Sequence, residues 1–151
     1  MNQIVKDVMT REVVDARPDM TLREAAGIMK TQDIGSLPVV EGSKPVGVVT
    51  DRDITVRAVA EGRDVGAVKV AEIMSRDVVV VREDAPVEEA EKLMHDRQLR
   101  RLPVVDANGE LRGYLALAKI ARSESPERAG QVLKGLSEPS APAPMEARKT
   151  A

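Results

Sequence analysis

A hydroxyl and a carboxylate stand three residues apart at Thr50 and Asp53, directly after the apolar run 46–49. The β-branched run predicts a strand, and the residues after Thr50 predict a helix that stops near Gly62. One interpretation of the pair is a helix cap, in which the hydroxyl accepts from the backbone N–H three residues on. The other is a nucleotide site, because a carboxylate can accept from both ribose hydroxyls and a helix start can hold phosphate.

The composition excludes several other kinds of site. The chain has no cysteine, so it has no disulfide, thiolate metal site or cysteine nucleophile. Its single histidine, His95, lies on a helix-like run and is predicted to be an exposed surface residue. Without a nucleophile–base pair, a metal cluster or a Gly-x-x-x-x-Gly-Lys loop, we expect no enzyme and no catalytic cofactor.

Charge and hydropathy bound the partners and the location. Lys and Arg number 23 and Asp and Glu 25, and Tyr114 is the only aromatic residue. The sequence therefore lacks both a basic surface and a stacking platform for nucleic acid. We find no apolar run of about 18 residues and no signal peptide, which predicts a soluble, cytoplasmic protein with no membrane partner.

The elements around Thr50 follow from turn residues and apolar spacing. Residues 5–10 predict a short helix, and Val13 and Val14 a short strand. Thr21 and Glu24 form a second capping pattern before an amphipathic helix that ends near Asp33. The strand 37–40 follows, then a turn, the strand 46–49 and the helix after Thr50.

This order of elements occurs twice. When residues 5–41 are compared with the residues 65 positions later in the chain, 14 positions are identical. This predicts an internal duplication. The identical positions in the first copy are Val5, Met9, Arg11, Val13, Val14, Arg17, Asp19, Glu24, Ala25, Met29, Leu37, Pro38, Val39 and Val40. One extra residue in the second hairpin turn, 107–110, makes the offset 66 beyond it.

Each copy is too small to bury a core alone, so we expect the two copies to pack face to face about a pseudo-twofold axis. The expected boundaries are 5–63 for the first copy, 64–122 for the second and 123–151 for a flexible Ser/Pro/Ala-rich tail. Within the tail, residues 132–136 could add one or two helical turns. The apolar helix faces predict a homodimer.

Three features in order resemble the CBS motif, named for cystathionine beta-synthase. They are the Val-x-Asp-Val-Met-Thr opening, the Leu-Pro-Val-Val strand and the run 47–54. Two such motifs over roughly residues 5–122 resemble a stand-alone CBS pair, similar to small bacterial proteins that include the hypoxic-response type. The resemblance implies an α+β fold of two β-α-β-β-α units packed through their sheets. It also implies a regulatory role, with clefts that hold adenine nucleotides in many members.

Carried over by position, the resemblance assigns one adenine-nucleotide site per chain, for AMP, ADP or ATP. Asp53 would bind the ribose, Thr50 the ribose or phosphate, and the pair Arg100 and Arg101 the phosphate. The full set is Thr50, Asp53, Val78, Val79, Arg100, Arg101 and Pro103, with the two valines beside the base. Phosphate also suits two adjacent guanidinium groups, which would oppose a sulfonium nucleoside.

The symmetry-related site departs from the pattern. Ala116 and Lys119 replace the hydroxyl and the carboxylate, and Gly35 and Ser36 replace the arginines. The leading hypothesis is therefore a one-site nucleotide sensor that acts on an unknown protein partner. The alternative hypothesis is a ligand-free dimeric scaffold or interaction protein with a vestigial cleft, in which Thr50 and Asp53 only cap a helix.

Overall fold

The computed structural model describes residues 3–137, and these form two compact units. One unit is made of residues 14–78, and the other of residues 3–13 together with residues 79–137. Both units combine helices and strands, which confirms the predicted mixed fold class.

Short helices and strands follow one another along these residues. In chain order they are α1 (Val5–Val8), α2 (Leu22–Gln32), β1 (Ser36–Glu41), β2 (Lys44–Thr50), α3 (Asp51–Ile54), a π-helical turn (Thr55–Val59), α4 (Val70–Ile73), β3 (Val81–Arg82), α5 (Val87–Arg97), β4 (Arg101–Val105), β5 (Leu111–Ala116), α6 (Leu117–Ser123) and α7 (Pro126–Ser137).

In the unit of residues 14–78, α2 and a hairpin enclose an apolar core. The side chain of Thr21 accepts from the backbone N–H of Glu24 at 3.1 Å, which confirms the predicted cap of α2. The helix ends at Asp33, whose φ of 55° is left-handed. Strands β1 and β2 pair antiparallel. The fully buried core residues include Leu22, Ala25, Leu37, Val39, Val49, Ala58 and Val70.

The second unit repeats this arrangement and adds a helix. Strands β3 and β4 pair parallel, and β4 and β5 antiparallel. Helix α5 ends at Gln98 with a φ of 53°, at the position equivalent to Asp33. The fully buried core residues include Val5, Ala90, Met94, Leu102, Val104, Leu115 and Ile120.

The duplication extends to single backbone pairings. The parallel bridge of Ala16 with Val39 corresponds to the pairing of Val81 with Val104 in β3 and β4. Each hairpin also carries its register irregularity at the same place, after Val39 in one copy and after Val104 in the other. The sequence duplication is therefore a structural duplication.

The opening segment of each copy, residues 5–10 or 70–75, packs in the unit that contains the strands and closing helix of the other copy. Thr10, at the end of the first opening, bridges to Tyr114 in β5. Ser75, its equivalent, bridges to Val48 in β2. The compact units therefore differ from the sequence copies 5–63 and 64–122, because the short openings are exchanged between them.

Gly47 and Gly113 provide the space for the exchanged openings. A Cβ on Gly47 would lie 2.7 Å from the carbonyl oxygen of Ser75 and 2.8 Å from Sδ of Met74. A Cβ on Gly113 would contact Sδ of Met9 and lie 2.8 Å from the carbonyl oxygen of Thr10. Glycine at both positions lets the opening segment lie directly on the strand.

Three elements differ in detail from the sequence prediction. Val13 and Val14 form no strand, because pairing at this edge is limited to the single bridge at Ala16. The helix after Thr50 changes to a π-helical turn at Thr55. Helix α7 has 12 residues, longer than the one or two turns expected at 132–136, and residues 139–151 lie outside the described part of the chain.

Candidate functional site

Thr50 and Asp53 cap the start of α3 reciprocally. The backbone N–H of Asp53 donates to Oγ1 of Thr50 at 3.0 Å, and the backbone N–H of Thr50 donates to Oδ2 of Asp53 at 3.0 Å. Both side chains are half-buried at the end of β2. The capping interpretation is therefore correct, and it uses one of the two carboxylate oxygens of Asp53.

Arg57 lies beside the other carboxylate oxygen. Its Nε is 3.9 Å from Oδ1 of Asp53, one helical turn earlier. Its Nη1 donates to the carbonyl oxygen of Ile73 at 3.0 Å. Ile73 is the last residue of α4, so the guanidinium connects the candidate ribose-binding carboxylate to the carboxyl end of an exchanged helix.

The equivalent place in the second copy is built differently. Ala116 precedes α6 and offers no capping side chain. Lys119, at the position of Asp53, donates from Nζ to the carbonyl oxygen of Met9 at 3.2 Å and to Oγ1 of Thr10 at 3.4 Å. Its ammonium therefore binds the first opening segment, where the other copy has a carboxylate.

Arg100 and Arg101 stand side by side at the start of β4. The backbone carbonyl of Arg100 accepts from the N–H of Leu117 at 2.8 Å, and Arg101 pairs with Ala116 across the sheet. Both side chains are exposed. Within residues 3–137 neither side chain forms an ion pair or a hydrogen bond. Two adjacent positive charges are thus held on a fixed backbone and available to an anion.

The remaining predicted site residues are apolar. Pro103 is buried in β4 opposite Tyr114. Val78 is half-buried, and Val79 is half-buried and packs against the core that contains Leu102. These residues can present an aliphatic surface but no side-chain hydrogen bond.

At Gly35, the first-copy equivalent of Arg100, an added side chain would have to displace the carboxylate of Asp51. A Cβ there would lie 2.8 Å from Oδ2 of Asp51. The second copy has Leu117 where the first has Asp51, so the same backbone accommodates Arg100. The copy that lacks the arginine therefore also differs at a second, neighbouring position, where it has Asp51 instead of leucine.

The structure brings together two sets of predicted residues, each in its own unit. Thr50 and Asp53 are in direct contact, and Arg100 and Arg101 are adjacent on β4. Sequence reasoning missed Arg57 and the hydrogen bonds that Lys119 makes to the first opening segment. Arg57 lies four residues after Asp53 on a helix, and this spacing of opposite charges would have predicted their ion pair. The bond of Lys119 to Met9 spans 110 residues and leaves no local signal.

A cavity of about 280 Å³ lies between α5 and α7. Arg128 of α7 pairs with Glu91 of α5, whose side chain is only 10% exposed and whose Oε1 has no hydrogen-bond partner within residues 3–137. Burial raises the pKa of Glu91, Arg128 opposes that shift, and Glu124 and Glu88 add to it. His95 lies at the same cavity and is exposed, as predicted.

Two further kinds of feature are absent from the described residues. Among residues 3–137 no three His, Cys, Asp or Glu side chains are placed to hold a metal ion together. In the same stretch no helix combines the length and the apolar character needed to cross a bilayer.

Known proteins resemble this chain over most of its length. The CBS domain-containing protein YhcV of Bacillus subtilis is 43% identical over 134 residues, which cover 88% of this chain and 94% of YhcV. The crystal structure of Hypoxic Response Protein I, which has two coordinated zinc ions, superimposes with a TM-score of 0.75 at 31% identity. That match covers 82% of this chain and all of the other.

Two further solved structures contain nucleosides or nucleotides. The CBS domain pair of protein MJ0100, in complex with 5-methylthioadenosine and S-adenosyl-L-methionine, matches 82% of this chain and 96% of its own at 30% identity and a TM-score of 0.73. CBSX2 in complex with AMP matches 80% of this chain and 94% of its own at 28% identity and a TM-score of 0.69.

The family model of the CBS domain matches residues 5–59 and 70–125. These two matches contain both copies of the duplication, each with its Leu-Pro-Val-Val strand and its closing helix. They also contain every residue of the candidate site. The chain therefore belongs to the CBS-domain family and carries two CBS motifs in tandem.

Proposed function

We propose that this chain is a non-catalytic regulatory module that binds one adenine nucleotide, AMP, ADP or ATP, and changes its affinity for a protein partner with it. The ribose hydroxyls donate to Asp53, with Thr50 beside them, and the phosphate accepts from Arg100 and Arg101. The base lies against aliphatic side chains, to which Val78, Val79 and Pro103 belong. Regulation requires that the nucleotide bind two states of the module unequally.

The observation that carries this proposal is the asymmetry of the two copies. A ribose-binding carboxylate and a phosphate-binding pair occur once each, at Asp53 and at Arg100 with Arg101. At the equivalent positions the ammonium of Lys119 is bound to the first opening segment, and Asp51 fills the space beside Gly35. This pattern supports one nucleotide per chain.

The charge of the arginine pair supports a phosphorylated ligand. Within residues 3–137 neither Arg100 nor Arg101 has a carboxylate partner, and two adjacent guanidinium groups repel each other unless an anion lies near them. Phosphate oxygens fit the fork geometry of arginine. The AMP of CBSX2 is such a ligand, whereas the S-adenosyl-L-methionine of MJ0100 carries a positive charge that the arginines would oppose.

The experiment is nucleotide-induced stabilisation of matched variants. Thermal unfolding of wild type, Asp53→Asn and Asp51→Asn is followed by far-UV circular dichroism with increasing AMP, ADP and ATP. At 100 times Kd a ligand stabilises the folded state by about 2.7 kcal/mol. Asp53→Asn keeps an oxygen for the cap of α3 and removes the charge, so it lowers affinity by about 10-fold to 100-fold, as expected for a charge-assisted hydrogen bond.

Asp51→Asn is the control, because it makes the same charge change on the same turn of α3. It retains the wild-type response to nucleotide. Equal responses of the two variants would contradict the assignment of the ribose to Asp53. Absence of stabilisation by all three nucleotides in wild type would contradict nucleotide binding itself.

The second candidate function is a ligand-free dimeric scaffold. The complete capping box of Thr50 and Asp53 favours it, because the box accounts for both residue types without a ligand. This function predicts the same melting temperature with and without nucleotide, so the experiment above separates the two.

We also propose that the chain forms a homodimer and that it acts in the cytoplasm, the compartment that contains the nucleotides. The apolar helix faces predicted from the sequence support association, because a second copy of the chain would cover them. Light scattering at micromolar concentration is expected to give twice the chain mass of 16.4 kDa. A monomeric mass at that concentration would contradict the dimer.

A further inference from the structure

Arg57 bridges two groups that belong to different copies of the duplication. Asp53 belongs to the first copy, and Ile73 ends the helix that opens the second. The guanidinium is 3.9 Å from the carboxylate and 3.0 Å from the carbonyl oxygen. Its side chain is 51% exposed, so this contact adds little to folding stability compared with a buried ion pair.

The segment after Ile73 leads to the candidate base-binding residues. Met74 packs against Gly47, and Ser75 exchanges two backbone hydrogen bonds with Val48, at 3.0 and 2.9 Å. Val78 follows three residues later. A shift of the carboxyl end of α4 therefore moves a segment that is anchored to β2 and continues to the proposed site.

The backbone around Arg57 is specialised. Residues Thr55–Val59 form a π-helical turn, in which the N–H of Ala60 donates to the carbonyl of Thr55 at 2.9 Å. The equivalent part of α6 is regular α-helix up to Ser123, the counterpart of Arg57. Single π-turns inside α-helices occur frequently at functional sites. The distortion occurs in the copy that retains the carboxylate.

The second copy has a cation at the equivalent helix end but no carboxylate for a ligand. There Lys119 binds the end of the opening helix directly and takes the place of Asp53. A cation at the end of an opening helix is therefore present in both copies. Only the first copy places that cation four residues further on, at Arg57, and keeps the carboxylate.

We infer that Arg57 is a positioning residue, which orients Oδ1 of Asp53 for the ligand and couples occupancy of that carboxylate to α4 and the segment through Ser75. The inference rests on the proposed function. A guanidinium presents several donors in one plane, so it can contact both partners, whereas the single ammonium of lysine is a point charge.

The first readout is AMP affinity of folded variants. Arg57→Gln lowers affinity by about 3-fold to 10-fold, which corresponds to the loss of a part-exposed charged contact. Arg57→Lys restores part of the affinity because it keeps the charge beside Asp53. Lys119→Gln is the matched control, since it removes the cation at the equivalent helix end, and it keeps wild-type affinity. Wild-type affinity in Arg57→Gln would overturn the positioning role.

The second readout is amide hydrogen exchange of Met74 and Ser75, whose N–H groups donate to Val70 and Val48. AMP slows their exchange in wild type and leaves it unchanged in Arg57→Gln. In the nucleotide-free protein, Asp53→Asn accelerates their exchange when Arg57 is present and has no further effect in Arg57→Gln.

This nucleotide-free comparison separates the coupling from nucleotide binding. If wild type binds no nucleotide but the Asp53 effect depends on Arg57, the proposed function fails and the coupling stands. If Asp53→Asn changes exchange equally with and without Arg57, or not at all, the coupling is overturned whether or not nucleotide binds.

Discussion

At the scale of single residues, Asp53 shows how one carboxylate can serve both fold and ligand. Its Oδ2 accepts from the N–H of Thr50 at 3.0 Å, and its Oδ1 is 3.9 Å from Arg57, outside hydrogen-bond distance. A carboxylate has about four lone-pair sites. The cap therefore leaves acceptor capacity for a ribose, and the two interpretations of the Thr50–Asp53 pattern are compatible.

The arginine pair gives a prediction about ligand phosphate. Replacing Arg100 and Arg101 together by glutamine lowers AMP affinity by about 100-fold or more, because charge-assisted hydrogen bonds contribute about 1.5–3 kcal/mol each. Adenosine affinity stays unchanged, since adenosine has no phosphate. Calorimetric titration of both ligands measures the difference, with the exposed Arg122→Gln as control. Equal losses for AMP and adenosine would contradict the phosphate assignment.

Glu91 gives a prediction about pH. Its pKa is raised above the ordinary value of 4.5, chiefly by burial, so the folded state holds the proton more tightly than the unfolded state. Stability linked to this proton is fully present below pH 4.5 and lost as pH rises through the raised value. Glu91→Gln, which imitates the protonated form, is therefore more stable than wild type at pH 7, and the difference closes as pH falls toward 4.5.

Urea unfolding from pH 4.5 to 7 measures this difference in stability. Glu89→Gln, on the exposed side of α5, is the control, and its stability difference from wild type is expected not to change with pH in this way. Arg128→Met leaves the ionised carboxylate unpaired and costs about 1–3 kcal/mol at pH 7. A Glu91→Gln variant that is less stable than wild type at pH 7 would show that the Arg128 pair outweighs burial.

At the scale of elements, the exchanged openings depend on two glycines in the strands. Gly47→Ala places a Cβ 2.7 Å from the carbonyl oxygen of Ser75, a backbone atom that cannot move alone. We expect a loss of about 1–3 kcal/mol in the free energy of unfolding, as for other overpacked sites. Chemical denaturation measures it.

Gly27→Ala is the matched control, because Gly27 lies exposed inside α2 with nothing within 4 Å of an added Cβ. This change is expected to stabilise the protein by about 0.5–1 kcal/mol, through helix propensity. An equal gain from Gly47→Ala would mean that the opening segment does not lie on β2 as described.

The elements predicted correctly are those whose signals are local. The caps at Thr21 and Thr50 and the Leu-Pro-Val-Val strands are each visible in a short stretch of sequence, and the repeat offset follows from comparing two such stretches. Helix α7 was underestimated, because its ion pair from Arg128 to Glu91 spans 37 residues and its polar first half has no apolar period. The π-helical turn at Thr55 has no recognised sequence signal.

At the scale of the whole molecule, the sequence identifies the family because its motifs occur in order and twice. Repetition also made the candidate site visible, since the losses at Ala116, Lys119, Gly35 and Ser36 stand out only against an intact copy. What the sequence could not provide is the exchange of the openings. Local patterns show that residues 5–8 and 70–73 are helical, but not which body each segment packs on.

The number of nucleotides bound per chain decides most directly whether the module has a single site. Calorimetric titration of AMP into the wild-type protein, at chain concentrations well above Kd, gives that number. We expect one, because Asp53 and the pair Arg100 and Arg101 each occur once while Lys119 is bound to Met9. Two nucleotides per chain would contradict the single site, and no binding of AMP, ADP or ATP would leave the dimeric scaffold as the function.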